Sequence, residues 1–353
     1  MKKLSKKAKE KVEKQMKTSE TTGTKTIALE KMLRGKEAEL RKLKEQRGKQ
    51  EIFIEGVISA MIAAKPYPKY KYQLVVKKTE VFATLKLSDW QIGEVVPAAA
   101  TERFGEFNLE IAKRRLTTII EDFIKWVNVQ RKVYKIDECH LLLEGDFVSG
   151  DVLHEDLTIT NEFPLPVQTA EASLLMGEIF LILCSHFKRV VAWENPVDNH
   201  GRLTKSVPAK NAGLNNINYV LYAMANEKAS RCNNLTIHTT EGAKLLANIG
   251  GYRFLSSHGN EIRSWMGIPY YGMERMAGRE ARKRMGTHAE FDFISIGHYH
   301  VDAVIAGTML VNGCLTGTTE LDHMNGRYAR PNQVAFLVGK RGFFNWTPFR
   351  GEK

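Results

Sequence analysis

The sequence predicts a layered α/β fold with helices on the outside. Short β-type apolar runs alternate with long helical ones from about residue 75 onward, the pattern of strand–helix layering. The Asp, Asn and His residues of chemical interest fall just after those apolar runs, at the strand ends where open α/β sheets build their sites. Composition agrees: 43% hydrophobic and 26% charged residues in 353 are enough to bury a sizeable core and exclude wholesale disorder.

The first 74 residues are set apart as a basic helical arm, and residues 75–353 form the main domain. Seventeen Lys and Arg against seven Asp and Glu lie in residues 1–50, which leaves only +2 of the net +12 for the rest of the chain. Such an arm suits a phosphate backbone through counterion release, and it equally suits a solvated tail. Leu29, Leu33, Leu40 and Leu43 give residues 25–47 one thin apolar stripe, compatible with self-association. A second amphipathic segment, EIFIEGVISAMIAA, stops before Pro66 and Pro68.

Strands are predicted at 81–88, 140–145, 189–194, 235–240, 291–297, 302–311 and 333–339, with a short one at 252–256; helices fill 106–130, 168–187 and 212–230. Four scattered cysteines without a C-x-x-C pair read as reduced and intracellular. The most apolar stretch, 173–187, carries Glu178 and is too short to span a bilayer, so the expectation is a cytoplasmic protein with no membrane partner.

Five short segments carry the chemistry. LSDWQIGE sets Asp89 and Gln91 after the first strand, LLLEGDFVSGD sets Asp146 after the second, and WENPVDNHGR sets Asn199 and His200 after the third. SSHGN holds His258, and ISIGHYH holds His298 and His300. This mixture of oxygen and imidazole donors suits Mn²⁺, Fe or Zn²⁺, in contrast to a thiolate site or an all-oxygen calcium site.

In their order these segments resemble the calcineurin-like metallophosphoesterase superfamily, whose pattern runs D-x-H, GD, GNH, a lone His and GHxH. The resemblance spans Asp89 to His300. It implies a four-layer sandwich of two mixed β-sheets flanked by helices, and a hydrolase with two divalent metal ions, Mn²⁺ foremost and Fe, Zn²⁺ or Mg²⁺ as alternatives. By position, Asp89, Gln91 and His300 would hold one metal, Asn199, His258 and His298 the other, and Asp146 would bridge them. His200 would face the scissile phosphate as the catalytic residue. Two departures stand out: Gln91 replaces the family's first histidine with a weaker neutral ligand, and Asp198 replaces the glycine of GNH.

Within the superfamily the chain resembles the SbcD-like DNA-repair nucleases and phage-encoded phosphoesterases, which implies a nuclease, an ATPase partner or a homodimer. A basic, aromatic-bearing insertion at 264–286 carries Trp265, Tyr270, Tyr271 and three arginines, Arg275, Arg279 and Arg282, on one helical face. With the arm it forms the expected nucleic-acid surface, DNA favoured. Arg202 and His154 are further candidate substrate contacts. Three functions remain open: a nucleic-acid phosphodiesterase, a phosphomonoesterase on nucleotides or phosphoproteins, and a non-catalytic phosphate-binding module.

Overall fold

The computed structural model describes residues 23–63, 78–153, 157–206, 208, 210–263 and 269–352. The chain divides into two compact units, Met1–Leu74 and Val75–Lys353. In the first, one helix, α1, runs from Gly23 to Ala63. The sequence reads as two helical segments here, but Gly48 costs a helix only about 1 kcal/mol. The strong helix formers around it, with the i,i+3 and i,i+4 pairs Lys36–Glu39, Arg41–Glu45 and Arg47–Glu51, carry the helix through. Leu33, Leu40 and Leu43 are exposed along it.

The second unit contains two mixed sheets flanked by helices. The larger sheet contains β1 (Phe82–Leu87), β2 (Glu138–Leu143), β3 (Arg189–Glu194), β4 (Leu235–Thr239), β10 (Asn332–Gly339) and β11 (Gly342–Arg350) in the order β11-β10-β1-β2-β3-β4. Strands β1 to β4 are parallel, and β10 and β11 join antiparallel at one edge. The smaller sheet orders β5 (Leu245–Ile249), β6 (Tyr252–Ser256), β7 (Phe293–Ile296), β9 (Met309–Val311) and β8 (Ala303–Ile305) as β5-β6-β7-β9-β8.

Side-chain alternation assigns the layers. Ala83, Leu85 and Leu87 of β1, Leu141 and Leu143 of β2 and Val190 and Ala192 of β3 face helices α2 (Leu109–Gln130), α4 (Leu165–His186) and α5 (Asn218–Lys228), which supply Phe123, Phe180 and Leu221. The alternate residues Leu142, Val191, Trp193 and Phe336 meet Phe254 and Leu310 of the smaller sheet in a core between the sheets. On that sheet's other face, Leu255, Ile294 and Val311 pack against Met273 and Met276 of α6 (Tyr270–Arg284). Two short helices, α3 (Leu157–Thr160) and α7 (Glu320–Met324), complete the unit.

Helix α2 starts where Asn108 caps it, its side chain accepting from the Ile111 N–H at 2.9 Å. Helix α4 has the length and composition to cross a membrane, but Ala172, Met176, Phe180 and Leu183 bury one side of it in the core. The run 302–311, expected as one strand, is instead the β8–β9 hairpin, because Ala306 and Gly307 turn the chain at positive φ. The helix expected from residue 212 begins at Asn218; Asn216 holds the preceding turn by accepting from the Asn218 N–H at 3.0 Å.

Candidate metal centre

The parallel strands place the predicted segments side by side at their C-terminal ends. Asp89 and Gln91 follow β1, Asp146 follows β2, Asn199 and His200 follow β3, His258 follows β6, and His298 and His300 follow β7. Backbone bonds lace these loops together: the Asp89 N–H donates to Gly145 O, Gln91 N–H to Asp146 O and Gly297 N–H to His258 O, at 3.0, 3.0 and 2.9 Å. Gly297 must be glycine, since a Cβ there would lie 2.5 Å from Asp89 Oδ2. Asp89, Gln91, Asp146, His298 and His300 sit at φ of 55°, 49°, 51°, 72° and 59°. Left-handed backbone is uncommon outside glycine and costs of order 1–3 kcal/mol per residue, and it clusters at functional sites.

Carboxylates and imidazoles converge at the centre. Asp89 and Asp146 are fully buried. Asp146, His258 and His298 bring ligand atoms within 4.8 Å of one another. His300 Nε2 lies 3.5 Å from Asp89 Oδ1, and His258 Nε2 lies 3.0 Å from Asp146 Oδ2. Gln91 Nε2 is 3.4 Å from the Nε2 atoms of both His200 and His300. The carbonyl oxygens of the Gln91 and Asn199 side chains are buried with no donor. Buried oxygens without partners normally cost about 1–3 kcal/mol each, and a cation or a water can satisfy them.

Asp146, His258 and His298 therefore have the donor set and spacing to hold a divalent ion, with Asp89, Gln91, Asn199 and His300 beside them. His258 Nδ1 donates to Glu144 O at 2.7 Å, fixing the tautomer that turns Nε2 to the centre. Asp198 organises the other side. Its carboxylate accepts from the Asp146 and Gly201 N–H groups at 2.5 and 2.7 Å and from Asn218 and Asn216 at 2.6 and 2.9 Å. Asp198 thus ties Asp146 to the loop bearing Asn199 and His200.

Electrostatics follow from this crowding. Burial alone would raise the Asp146 carboxyl, but His258, His200 and His298 around it outweigh burial and hold it well below its ordinary range. Burial opposes charge on His258 too, yet the Asp146 carboxylate overrides it and lifts the imidazole to about 10. Burial, aided by the charge of His258, depresses His298 to about 3.

The centre lies on a cavity of about 810 Å³ whose wall includes Gln91, Asp146, Asn199, His200, His298 and His300. The remaining candidates stand apart from it. Arg202 does not line the cavity; its backbone bridges to Asn216 and its Nε is buried without a partner. Arg275, Arg279 and Arg282 are exposed on α6, which gives the cavity only Met273. Glu280 on that helix pairs with Lys244, Lys283 and Arg284. His154 and Trp265 lie outside the described residues.

Sequence reasoning missed a buried ion pair beneath the centre, Lys86 Nζ to Glu144 Oε2 at 3.1 Å. Charges inside the apolar runs VFATLKLS and LLLEGD were its trace. It also passed over Glu94, on the cavity wall, whose carboxyl is raised by burial against the pull of His200 and His300.

No family model matches the chain, and no curated protein does. Among solved structures it is similar to a single-substitution variant of Vps29 from Entamoeba histolytica, at 11% identity and a TM-score of 0.28, covering 76% of this chain and 99% of that one. Sulfate thiohydrolase SoxB from Thermus thermophilus matches at 10% identity and a TM-score of 0.31, over 79% of this chain and 58% of SoxB. Vps29 from Chaetomium thermophilum matches at 10% identity and a TM-score of 0.22, over 48% of this chain and 82% of that one.

Proposed function

We propose that the chain is a two-metal phosphodiesterase acting on nucleic acid. The observation that carries the reading is the convergence of Asp89, Asp146, His258, His298 and His300 from two sheets, beside the partnerless oxygens of Gln91 and Asn199. Two divalent cations held there, Mn²⁺ favoured and Fe, Zn²⁺ or Mg²⁺ also suited, would polarise a phosphate ester and lower the pKa of an attacking water.

The chain's own residues supply the rest. His200 Nδ1 donates to Ser149 O at 2.6 Å, which leaves Nε2 on the cavity side. Burial works against a charged His200, but the Asp146 carboxylate outweighs it and raises the imidazole above its ordinary range. A protonated His200 is thereby available to give its Nε2 proton to the leaving oxygen. Asp198 keeps the His200 loop in register, and the His200 N–H itself donates to Asp146 Oδ1 at 3.1 Å. The nucleic-acid part draws on the basic arm, with +10 in residues 1–50.

Hydrolysis of bis-p-nitrophenyl phosphate, p-nitrophenyl phosphate and labelled single- and double-stranded DNA, with Mn²⁺ and with EDTA, tests it. Diester and DNA cleavage that EDTA abolishes and His200→Asn lowers by roughly 10²–10⁴-fold is the expected result. Turnover of the monoester alone would make the chain a phosphomonoesterase. Binding of phosphate without any turnover would make it a binding module in which Gln91 has disabled the first site.

A further inference from the structure

Beside the metal-centre cavity lies a second one of about 430 Å³, and the two share Tyr328 and Ala329 in their walls. Its inner wall is Thr316–Thr318, continuing a loop whose Leu315 N–H donates to Asp89 O at 2.9 Å. The second cavity is therefore tied by one short loop to a residue of the metal centre.

Four arginines line it, Arg103, Arg115, Arg330 and Arg350, against the two glutamates Glu106 and Glu352. Arg115 is fully engaged inside the protein, donating to the carbonyls of Leu315, Thr316 and Glu106 and to the Glu352 carboxylate. Arg103, Arg330 and Arg350 are exposed, and among the described residues none has a carboxylate at ion-pair distance. Arg103 is held at a φ of 70°, in the left-handed region that arginine rarely enters. The Arg330 guanidinium stands 5.9 Å over the Tyr328 ring.

Two exposed aromatic rings complete the cavity. Phe104 and Tyr328 are 58% and 57% exposed with their centroids 6.4 Å apart, and Phe104 stacks on His323 at 5.9 Å. Exposed rings next to unpaired guanidinium groups match the two needs of a nucleotide, a stacking face for the base and bidentate donors for the phosphate.

We propose that this cavity holds the nucleotide flanking the scissile phosphate of a single-stranded polynucleotide. Its phosphate lies on Arg103, Arg330 and Arg350, and its base lies against Phe104 and Tyr328. The inference rests on the phosphodiesterase reading and moves the nucleic-acid surface away from α6.

Fluorescence anisotropy of labelled oligothymidylate with the full chain in EDTA measures binding apart from turnover. Arg330→Ala with Arg350→Ala is expected to weaken binding about ten-fold, about 1.4 kcal/mol. The slope of log K against log salt should also flatten by about 0.7 for each phosphate that the variant no longer neutralises. Tyr328→Ala should weaken binding comparably at an unchanged salt slope, because stacking releases no counterions. Unaltered affinity in both variants overturns the inference, as does a weakening confined to Arg275→Ala, Arg279→Ala and Arg282→Ala on α6. Hydrolysis of bis-p-nitrophenyl phosphate by the unsubstituted chain is measured alongside. Its absence would overturn the phosphodiesterase reading while the binding data still decide the cavity.

Discussion

Glu194 shows how a single buried carboxyl can set pH dependence away from the metal centre. It ends β3 at 2% exposure, its Oε1 has no hydrogen-bond partner, and burial lifts it from 4.5 to about 7, only partly opposed by Asn226. A folded-state pKa above the unfolded one means stability that is complete below about 4.5 and is lost as pH rises through about 7. That gap is worth about 3 kcal/mol. Glu194→Gln should therefore gain about that much on the unsubstituted chain between about pH 4.5 and 7.5 in urea unfolding; parallel stability curves would show that Glu194 is solvated. At this scale the sequence was most informative about which side chains come together. Asp146, His258 and His298, each picked out from its own segment, lie in one cluster. The left-handed backbone at Asp89, Gln91, Asp146, His298 and His300 was not readable, since tertiary packing imposes it against local preference.

Between elements, the Lys86–Glu144 pair links the strands of the larger sheet to those of the smaller one. Both side chains are fully buried. Lys86 Nζ also donates to Ser295 Oγ and Leu310 O at 2.6 and 2.7 Å, while Glu144 Oε1 accepts from Ser256 Oγ at 3.1 Å. Burial lowers the Lys86 pKa and the Glu144 charge works against that fall, so the pair survives only together. Removing one partner of a buried pair leaves an uncompensated charge and typically costs about 3–5 kcal/mol. Lys86→Met is expected to lose that much in chemical unfolding, and Lys86→Met with Glu144→Gln to recover part of it. A single-variant loss under about 1 kcal/mol would mean that the buried pair adds little to stability. Strand positions were legible where apolar runs were long, as in β1, β2, β3 and β10. They failed where two three-residue strands shared one run, as in β8 and β9, and where β11 mixed Asn345, Thr347 and Pro348 among its aromatics.

For the whole molecule, metal binding at the proposed centre would be coupled to sheet packing, because the candidate ligands come from both sheets. Asp89, Gln91, Asp146 and Asn199 extend from the larger sheet; His258, His298 and His300 extend from the smaller. That the sheets face each other was legible only through the order of the motifs, since periodicity within a strand does not say which strand lies across the core. His258 is lifted to about 10 by the Asp146 carboxylate against the effect of burial. With its Nδ1 proton committed to Glu144 O, this imidazole can coordinate only after Nε2 gives up its proton. His298, depressed to about 3, has none to give. Titration of Mn²⁺ near pH 7.5, in buffers of different ionisation enthalpy, should therefore show about one proton released per ion at the second site. The release should fade above about pH 10 and vanish in His258→Ala. The same ion should raise the melting temperature, since a ligand at about 100 times its Kd adds about 2.7 kcal/mol to the folded state. Binding without proton release would place the ion away from His258 and remove this centre as the metal site.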